Sequence, residues 1–452
     1  MPKPEQPLPA ASLSREEIAR IEVGHTTVAP ATVRALLAFF LTAIVVGPIV
    51  EWAGLRALRA EGVATAWSHL SRLAGLPSDI RSQLAGATAP AEDFGLWRLV
   101  VSANRIVIAG LSGFERALEA ESLLGRSLRP PAQIVITGWL GAGNERVYRG
   151  RDEWLFYRPD VEYVTGPGFL DPAQLRRRVA TAPEWTAPPQ PDPREAIARF
   201  RGDLEARGIT LVVMPTPLKP GVHPEMLARR YADATGVLQN PSYRAFVEDL
   251  RRDGVLVFDP SEALAAARRT GPQYLATDTH WRPETMEAVA ELLGGFIAAH
   301  VGLPVTADPG YRIERPEVRN TGDAARMLDL PNDALLFPPE AVWLRRVLQP
   351  DGSPWRSSRD ADVFVLGDSF SNIYALESMG WGTSAGLAEH LSYTLRRPVD
   401  RLVQNDEGAF ATRAMLARDP DRLAGKRVVV YQFTARELAF GDWKLIALPT
   451  SN

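Results

Sequence analysis

Residues 192–214 read DPREAIARFRGDLEARGITLVVM and contain one complete helix-to-strand unit. Asp192 offers an acceptor to the free N–H groups of a helix start, and Pro193 fits a first turn whose amides are unpaired in any case. Gly208 suits the left-handed residue that ends the helix. A strand follows at once, Ile209–Met214. The same punctuation recurs at Asn240-Pro241, with Gly254 and a strand Val255–Phe258, and at Asp259-Pro260, with Gly271 beyond. Two later runs, Val363–Leu366 and Arg427–Phe433, are almost continuously apolar, as strands covered on both faces are. The alternation predicts an α/β fold, an open parallel sheet with flanking helices. Residues 181–193, with five prolines, read as a loop.

Outward from this core, the 452-residue chain carries 51 Lys+Arg against 54 Asp+Glu, a formal charge of −3 and 46% hydrophobic residues, which excludes a wholly disordered or fibrous chain. No cysteine is present, so disulfides, zinc–thiolate sites, Fe–S clusters and a thiol nucleophile are excluded. Near-neutral balance without a long basic run gives no footprint for nucleic acid, and none is expected as a partner.

Four segments are expected. Residues 1–33 begin MPKPEQPLPA and read as a flexible tail. Residues 34–55 hold sixteen uncharged residues, Ala35 to Val50, and read as an uncleaved transmembrane anchor, since about thirty polar residues precede them and no A-x-A-like site follows. Residues 56–130 carry helical patterns, broken near Pro77 and Pro90 and closed by Arg129-Pro130-Pro131, and read as a helical stalk. Residues 131–452 hold the sheet. Arginines flank the apolar run on both sides, so charge does not orient it. Gly138, Gly141 and Gly143 lack the spacing and helix context of a dinucleotide loop and read as a turn.

VFVLGDSFSN, residues 363–372, sets Gly367-Asp368-Ser369 at the end of a buried-type strand, where open α/β sheets bind ligands. Ser369 is a candidate nucleophile, and a capping turn is the alternative. A hydroxyl nucleophile needs a base. Of six histidines, His25 lies in the tail, His69 on the stalk, and His300 and His390 are placed near helix ends, which leaves His223 and His280. In YLATDTHWRPE, residues 274–284, Asp278 and His280 project to the same side of an extended segment, so the carboxylate can orient an imidazole that faces Ser369. A helix-capping loop before Pro283 is the alternative. Trp281, Trp343, Trp355 and Trp381 could face sugar rings or pack in the core, Trp343 being the one assigned mainly to the core.

Gly367-Asp368-Ser369 together with Asp278-Thr279-His280-Trp281 resembles the SGNH hydrolase-like acyltransferases of bacterial polysaccharide acetylation, the alginate O-acetyltransferase AlgJ/AlgX family. Trp154-Leu155-Phe156-Tyr157 resembles the family's G-W-L-F segment. Pro215-Thr216-Pro217-Leu218-Lys219 with His223-Pro224-Glu225 resembles its P-x-K…Y-P-E stretch, and Thr321-Gly322-Asp323 with Met327-Leu328 its G-D-L…M-L stretch. The order agrees over roughly residues 131–440. Three departures stand out: His223 where the family more often has Tyr, Asp152-Glu153-Trp154 in place of Asp-Gly-Trp, and no carbohydrate-binding module after the last strand, which favours a membrane-anchored form.

The resemblance implies a nucleophile at Ser369, a base at His280 and an orienting acid at Asp278. It implies acetyl transfer through an acetyl-serine to hydroxyls of an exopolysaccharide, with a carbohydrate acetylesterase or a non-catalytic scaffold as the rival functions. Asn372 is a possible oxyanion donor, and Arg436, where the family shows Arg-Glu-Leu, lies near the site or in a salt bridge. Neither a cofactor nor a metal is expected. The implied partners are a multi-spanning membrane acyltransferase that delivers acetyl and a polysaccharide acceptor. The implied location is the inner membrane, single-pass, with the catalytic domain periplasmic.

Overall fold

A computed structural model of the chain describes residues 29–59, 78, 95–181, 188–331 and 335–449. Most of the tail, the breaks near Pro77 and Pro90, His25, His69 and much of the proline-rich loop lie outside the described residues. The chain forms two compact units, Met1–Arg129 and Pro130–Asn452.

In the first unit, helix α1 (Pro30–Arg59) runs for 30 residues. At about 1.5 Å per residue that is roughly 45 Å. Its large apolar side chains between Val33 and Val50 are exposed, Phe39 by 74%, and the Pro30–Gly47 stretch is long and apolar enough to cross a membrane. Helix α2 (Gly95–Glu121) follows. Helix α3 (Leu123–Ile134) corrects the expectation that Pro130-Pro131 closes the helical region, because it continues through both prolines. Proline withdraws an N–H without forbidding helical φ, and the chain then loosens into a π-helical turn, Val135–Trp139.

The second unit is organised by five parallel strands: β1 (Thr210–Thr216), β2 (Leu256–Val257), β3 (Val363–Gly367), β4 (Asp400–Val403) and β5 (Val428–Thr434), in spatial order β4-β3-β5-β1-β2. Successive residues alternate between two cores. Val212, Met214, Val363, Val365, Val428 and Val430 face helices α6 (Pro283–His300) and α7 (Leu387–Leu395). Leu211, Val213, Phe364, Leu366, Val429 and Tyr431 face helices α4 (Pro193–Glu205) and α5 (Tyr243–Arg252). Each such side chain contributes about 1.5–3 kcal/mol on burial, so period-two patterning is overwritten by continuous apolarity.

The punctuation acts largely as read. Asp192 accepts from the Arg194 amide at 3.0 Å, and Gly208 and Gly254 take φ of +69° and +78°. Asn240 also accepts from the amide two residues on, Ser242, at 3.0 Å, but α5 starts only at Tyr243, and the Asn240 side-chain NH2 donates in addition to the Tyr163 and Pro167 carbonyls, fastening a neighbouring segment. The helix after Asp259-Pro260 ends at Ala267, before Gly271. His390 is mid-helix in α7 and buried, not near a helix end. α7 lies flat on α6 and carries it into the interface beside Glu287, 3.9 Å away. Among the described residues three antiparallel ribbons lie outside the sheet, Val147–Arg149 with Leu155–Tyr157, Arg312–Glu314 with Arg346–Leu348, and Glu317–Asn320 with Glu340–Trp343.

Candidate active site

Strand β3 ends at Gly367, and a short helix, Ser369–Asn372, starts at its tip. Asp368 caps that helix: one carboxylate oxygen accepts from the Phe370 amide at 2.9 Å and from the Gln432 side-chain amide at 2.8 Å. The other accepts from the Thr434 amide at 2.6 Å and from the Thr434 hydroxyl. Gln432 closes the grip with its carbonyl, which accepts from the Asp368 amide at 2.9 Å and the Ser371 hydroxyl at 2.7 Å. The capping alternative raised for this turn therefore describes Asp368, which leaves the neighbouring Ser369 hydroxyl free to point elsewhere. A Cβ on Gly367 would sit 2.3 Å from Ser371 Oγ, so the turn admits glycine alone without repacking.

The Ser369 hydroxyl lies 2.9 Å from His280 Nε2. His280 Nδ1 lies 2.7 Å from Asp278 Oδ1, the oxygen that also accepts the His280 amide at 3.0 Å. The three residues singled out in the sequence thus meet in one line. Asp278 is fully buried, and its second oxygen accepts from Trp381 Nε1 at 2.9 Å and the Asp323 amide at 3.0 Å. Burial opposes its charge, but His280, Trp381 and the Asp323 amide together hold its carboxyl well below the usual range. Burial likewise opposes the imidazolium, yet the hydrogen bond and charge of Asp278, with the charge of Asp323, raise the pKa of His280 above its ordinary value.

Four contributors had no role in the triad in the sequence reading, although Lys219, Asp323 and Trp381 are quoted there. Asp323 approaches because Gly322 lacks a side chain: a Cβ there would lie 2.2 Å from the Thr277 carbonyl. Its carboxylate accepts from the Thr279 amide and hydroxyl, both at 2.7 Å, and stands 3.8 Å from His280 Nδ1. Burial and the Asp278 charge push Asp323 up to about 6. Trp381, expected to face sugar or core, is a buried donor to Asp278. Gln432 is the one amide side chain in a buried strand, and that interruption of VVVYQFT was a readable signal. Lys219, buried with 1% exposure, donates to the carbonyls of Leu155, Ala276 and Asp278 at 2.6, 2.7 and 2.9 Å. Asp278, His280 and Asp323 could in principle gather a metal ion. Here both imidazole nitrogens are already engaged, one toward Asp278 and one toward Ser369.

Other candidates resolve individually. Asn372 directs its amide to Asn405 Oδ1 at 3.1 Å. Arg436 pairs with buried Asp160 at 2.9 Å, lies 5.3 Å from the Tyr157 ring centre, and lines a cavity of about 40 Å³ beside Ser369 with Asp368, Gln404, Asn405 and Thr434. His223 is buried and bonds to neither Ser369 nor Asp278, with Nδ1 2.8 Å from Glu225 and Nε2 accepting the Gln273 amide. Trp281 and Trp355 are buried, whereas Trp343, assigned mainly to the core, is 59% exposed because it falls on the outward register of a ribbon strand.

Residues 147–435 match the family described as SGNH hydrolase-like domain, acetyltransferase AlgX. The chain belongs to that acetyltransferase family. Among curated relatives, the probable alginate O-acetylase AlgJ of Pseudomonas aeruginosa is 26% identical over 313 residues, covering 66% of this chain and 71% of its own. The AlgJ of Pseudomonas putida is 26% identical over 306 residues, with the same coverage. Among solved structures, the O-acetyltransferase domain of Pseudomonas putida AlgJ aligns with a TM-score of 0.48 at 22% identity, covering 65% of this chain and 92% of that one. Pseudomonas aeruginosa AlgX aligns with 0.44 at 16%, covering 65% of each. Within this SGNH hydrolase-like acetyltransferase, the Glu153 departure has a visible cost. Glu153 adopts φ +64°, the left-handed region that glycine takes freely and other residues take at about 1 kcal/mol.

Proposed function

We propose that this protein is a polysaccharide O-acetyltransferase in which Ser369 carries the acetyl group. The observation that supports the reading is the 2.9 Å and 2.7 Å succession from Ser369 through His280 to Asp278. His280 Nε2 takes the hydroxyl proton as Ser369 Oγ bonds to the acetyl carbon, and returns it to the departing donor group. A sugar hydroxyl then gives its proton to His280 and attacks the acetyl-serine, whose Oγ leaves and recovers that proton. Asp278 fixes the imidazole tautomer and stabilises the imidazolium in both halves. The backbone N–H of Ser369, at the open end of its helix, faces the oxyanion. The roughly 40 Å³ cavity suits a two-carbon acyl group, being the space of only a few water molecules.

In this reading α1 anchors the chain in the inner membrane with the catalytic unit in the periplasm. A multi-spanning membrane acyltransferase supplies acetyl, and an exopolysaccharide receives it. Intact-mass spectrometry after exposure to an activated acetyl ester tests the chemistry. Wild type gains one acetyl, passes it to an oligosaccharide faster than to water, and Ser369→Ala gains none. Loss of the adduct mainly to water would make the protein an esterase. Unchanged polymer acetylation in cells carrying Ser369→Ala would make it a scaffold.

A further inference from the structure

Lys219 is a buried cation that the acetyl-transfer steps do not use. It follows strand β1 and sits 5.0 Å from the Trp154 ring centre and 5.2 Å from that of Phe156. Its three ammonium hydrogens meet three main-chain carbonyls: Leu155 on the ribbon strand, Ala276 at the head of the triad loop, and Asp278 itself. The loop has little regular structure of its own, with an isolated bridge between Tyr274 and Trp281. Main-chain bonds close its base, Leu275 N–H to the His280 carbonyl at 3.2 Å and Arg282 N–H to the Gln273 carbonyl at 2.9 Å, and side chains that reach in from elsewhere hold the turn between them.

We propose that Lys219 is a positioning residue for the triad, and that its ammonium fixes the Asp278 main chain so that the carboxylate meets His280. Donor count gives the mechanism. An ammonium offers three N–H groups to three carbonyls, whereas a neutral amine offers two and turns a lone pair toward the third. A buried carbonyl facing a lone pair loses its partner and meets repulsion, so deprotonation loosens one of the three ties. Arginine cannot substitute in full, because its planar fork does not converge on three carbonyls around one nitrogen.

The groups that face Lys219 define the pH at which this happens. Burial favours the neutral amine, and the carboxylates of Glu340, Asp278, Asp323 and Asp160, brought from four separate segments, favour the ammonium. The balance leaves Lys219 lowered to about 8. Positioning is therefore complete below that pH and is lost as pH rises through it. His280 must be neutral to accept a proton, which sets the acidic limb of the rate profile, and Lys219 sets the alkaline limb.

The inference rests on Ser369 as nucleophile, and the experiment separates the two. Acetyl-ester turnover is measured with the full-length protein across about pH 5 to 10 for wild type, Ser369→Ala, Lys219→Met and Lys219→Arg, with near-ultraviolet circular dichroism checking the fold at each pH. Wild type shows an alkaline fall near pH 8 while its circular dichroism is unchanged. Lys219→Met loses about 100-fold in kcat, with KM altered by less than about threefold, and has no alkaline fall. Lys219→Arg recovers part of kcat and also lacks the fall. If Ser369→Ala is inactive and wild type and Lys219→Arg share one alkaline limb, the positioning role is overturned while the nucleophile stands. If Lys219→Met fails to fold, the wild-type and Lys219→Arg profiles decide alone. Activity retained in Ser369→Ala removes the nucleophile on which the positioning role depends.

Discussion

The two halves of the site are built by different means. Ser369 stands at the tip of a central strand, its turn clamped by Asp368, Gln432 and Thr434 from the same sheet. His280 and Asp278 stand on an irregular loop outside the sheet, held by Asp323, Trp381 and Lys219 from three distant segments. Ser369 borrows the rigidity of regular structure, whereas His280 depends on a polar network in which each buried partner is individually expensive to lose. Mutations should therefore act in different currencies, stability on one side and rate or pH dependence on the other.

The sharpest break is Asp278→Asn. It removes the carboxylate that fixes the imidazole and leaves His280 in the wrong tautomer, so turnover should fall about 1,000- to 10,000-fold in steady-state assays, with the fold retained. Loss below about tenfold would show that the loop's charge is dispensable. Gly367→Ala tests the other half: a Cβ 2.3 Å from Ser371 Oγ forces the clamp apart, and we expect a loss of about 1–3 kcal/mol in denaturant unfolding. An unchanged midpoint would mean that the turn is softer than its packing suggests. The smallest effect belongs to Asp323→Asn. Asp323 helps to raise the pKa of His280, so removing its charge lets the imidazole deprotonate at lower pH, and the acidic limb of kcat/KM should move to lower pH. A limb that stays in place would confine Asp323 to loop geometry.

The same division explains what could be read from the sequence. Strands β1, β3 and β5 announce themselves as apolar runs, and Ser369 follows because it ends one of them. Asp278 and His280 were found from a two-residue spacing, which is local information. Asp323, Trp381 and Lys219 reach the loop across 45, 103 and 59 residues of sequence, and no periodicity encodes such contacts. Gly322 and Gly367 are similar: each is required by one close approach that becomes visible only in three dimensions. Pro130-Pro131 misled because proline marks where a helix can stop, and neighbouring turns decide whether it does.

Strand β5 lies between β3 and β1, yet it is the last of the five along the chain. Until residues 428–434 arrive, the sheet has a missing central plank, and two buried edges face each other across an open slot. The residues that grip Asp368, Gln432 and Thr434, come on that same plank. The Ser369 turn therefore cannot be completed early in synthesis: its grip waits for a strand made long after β1 and β3, and until then Asp368 has neither Gln432 nor Thr434 to hold it.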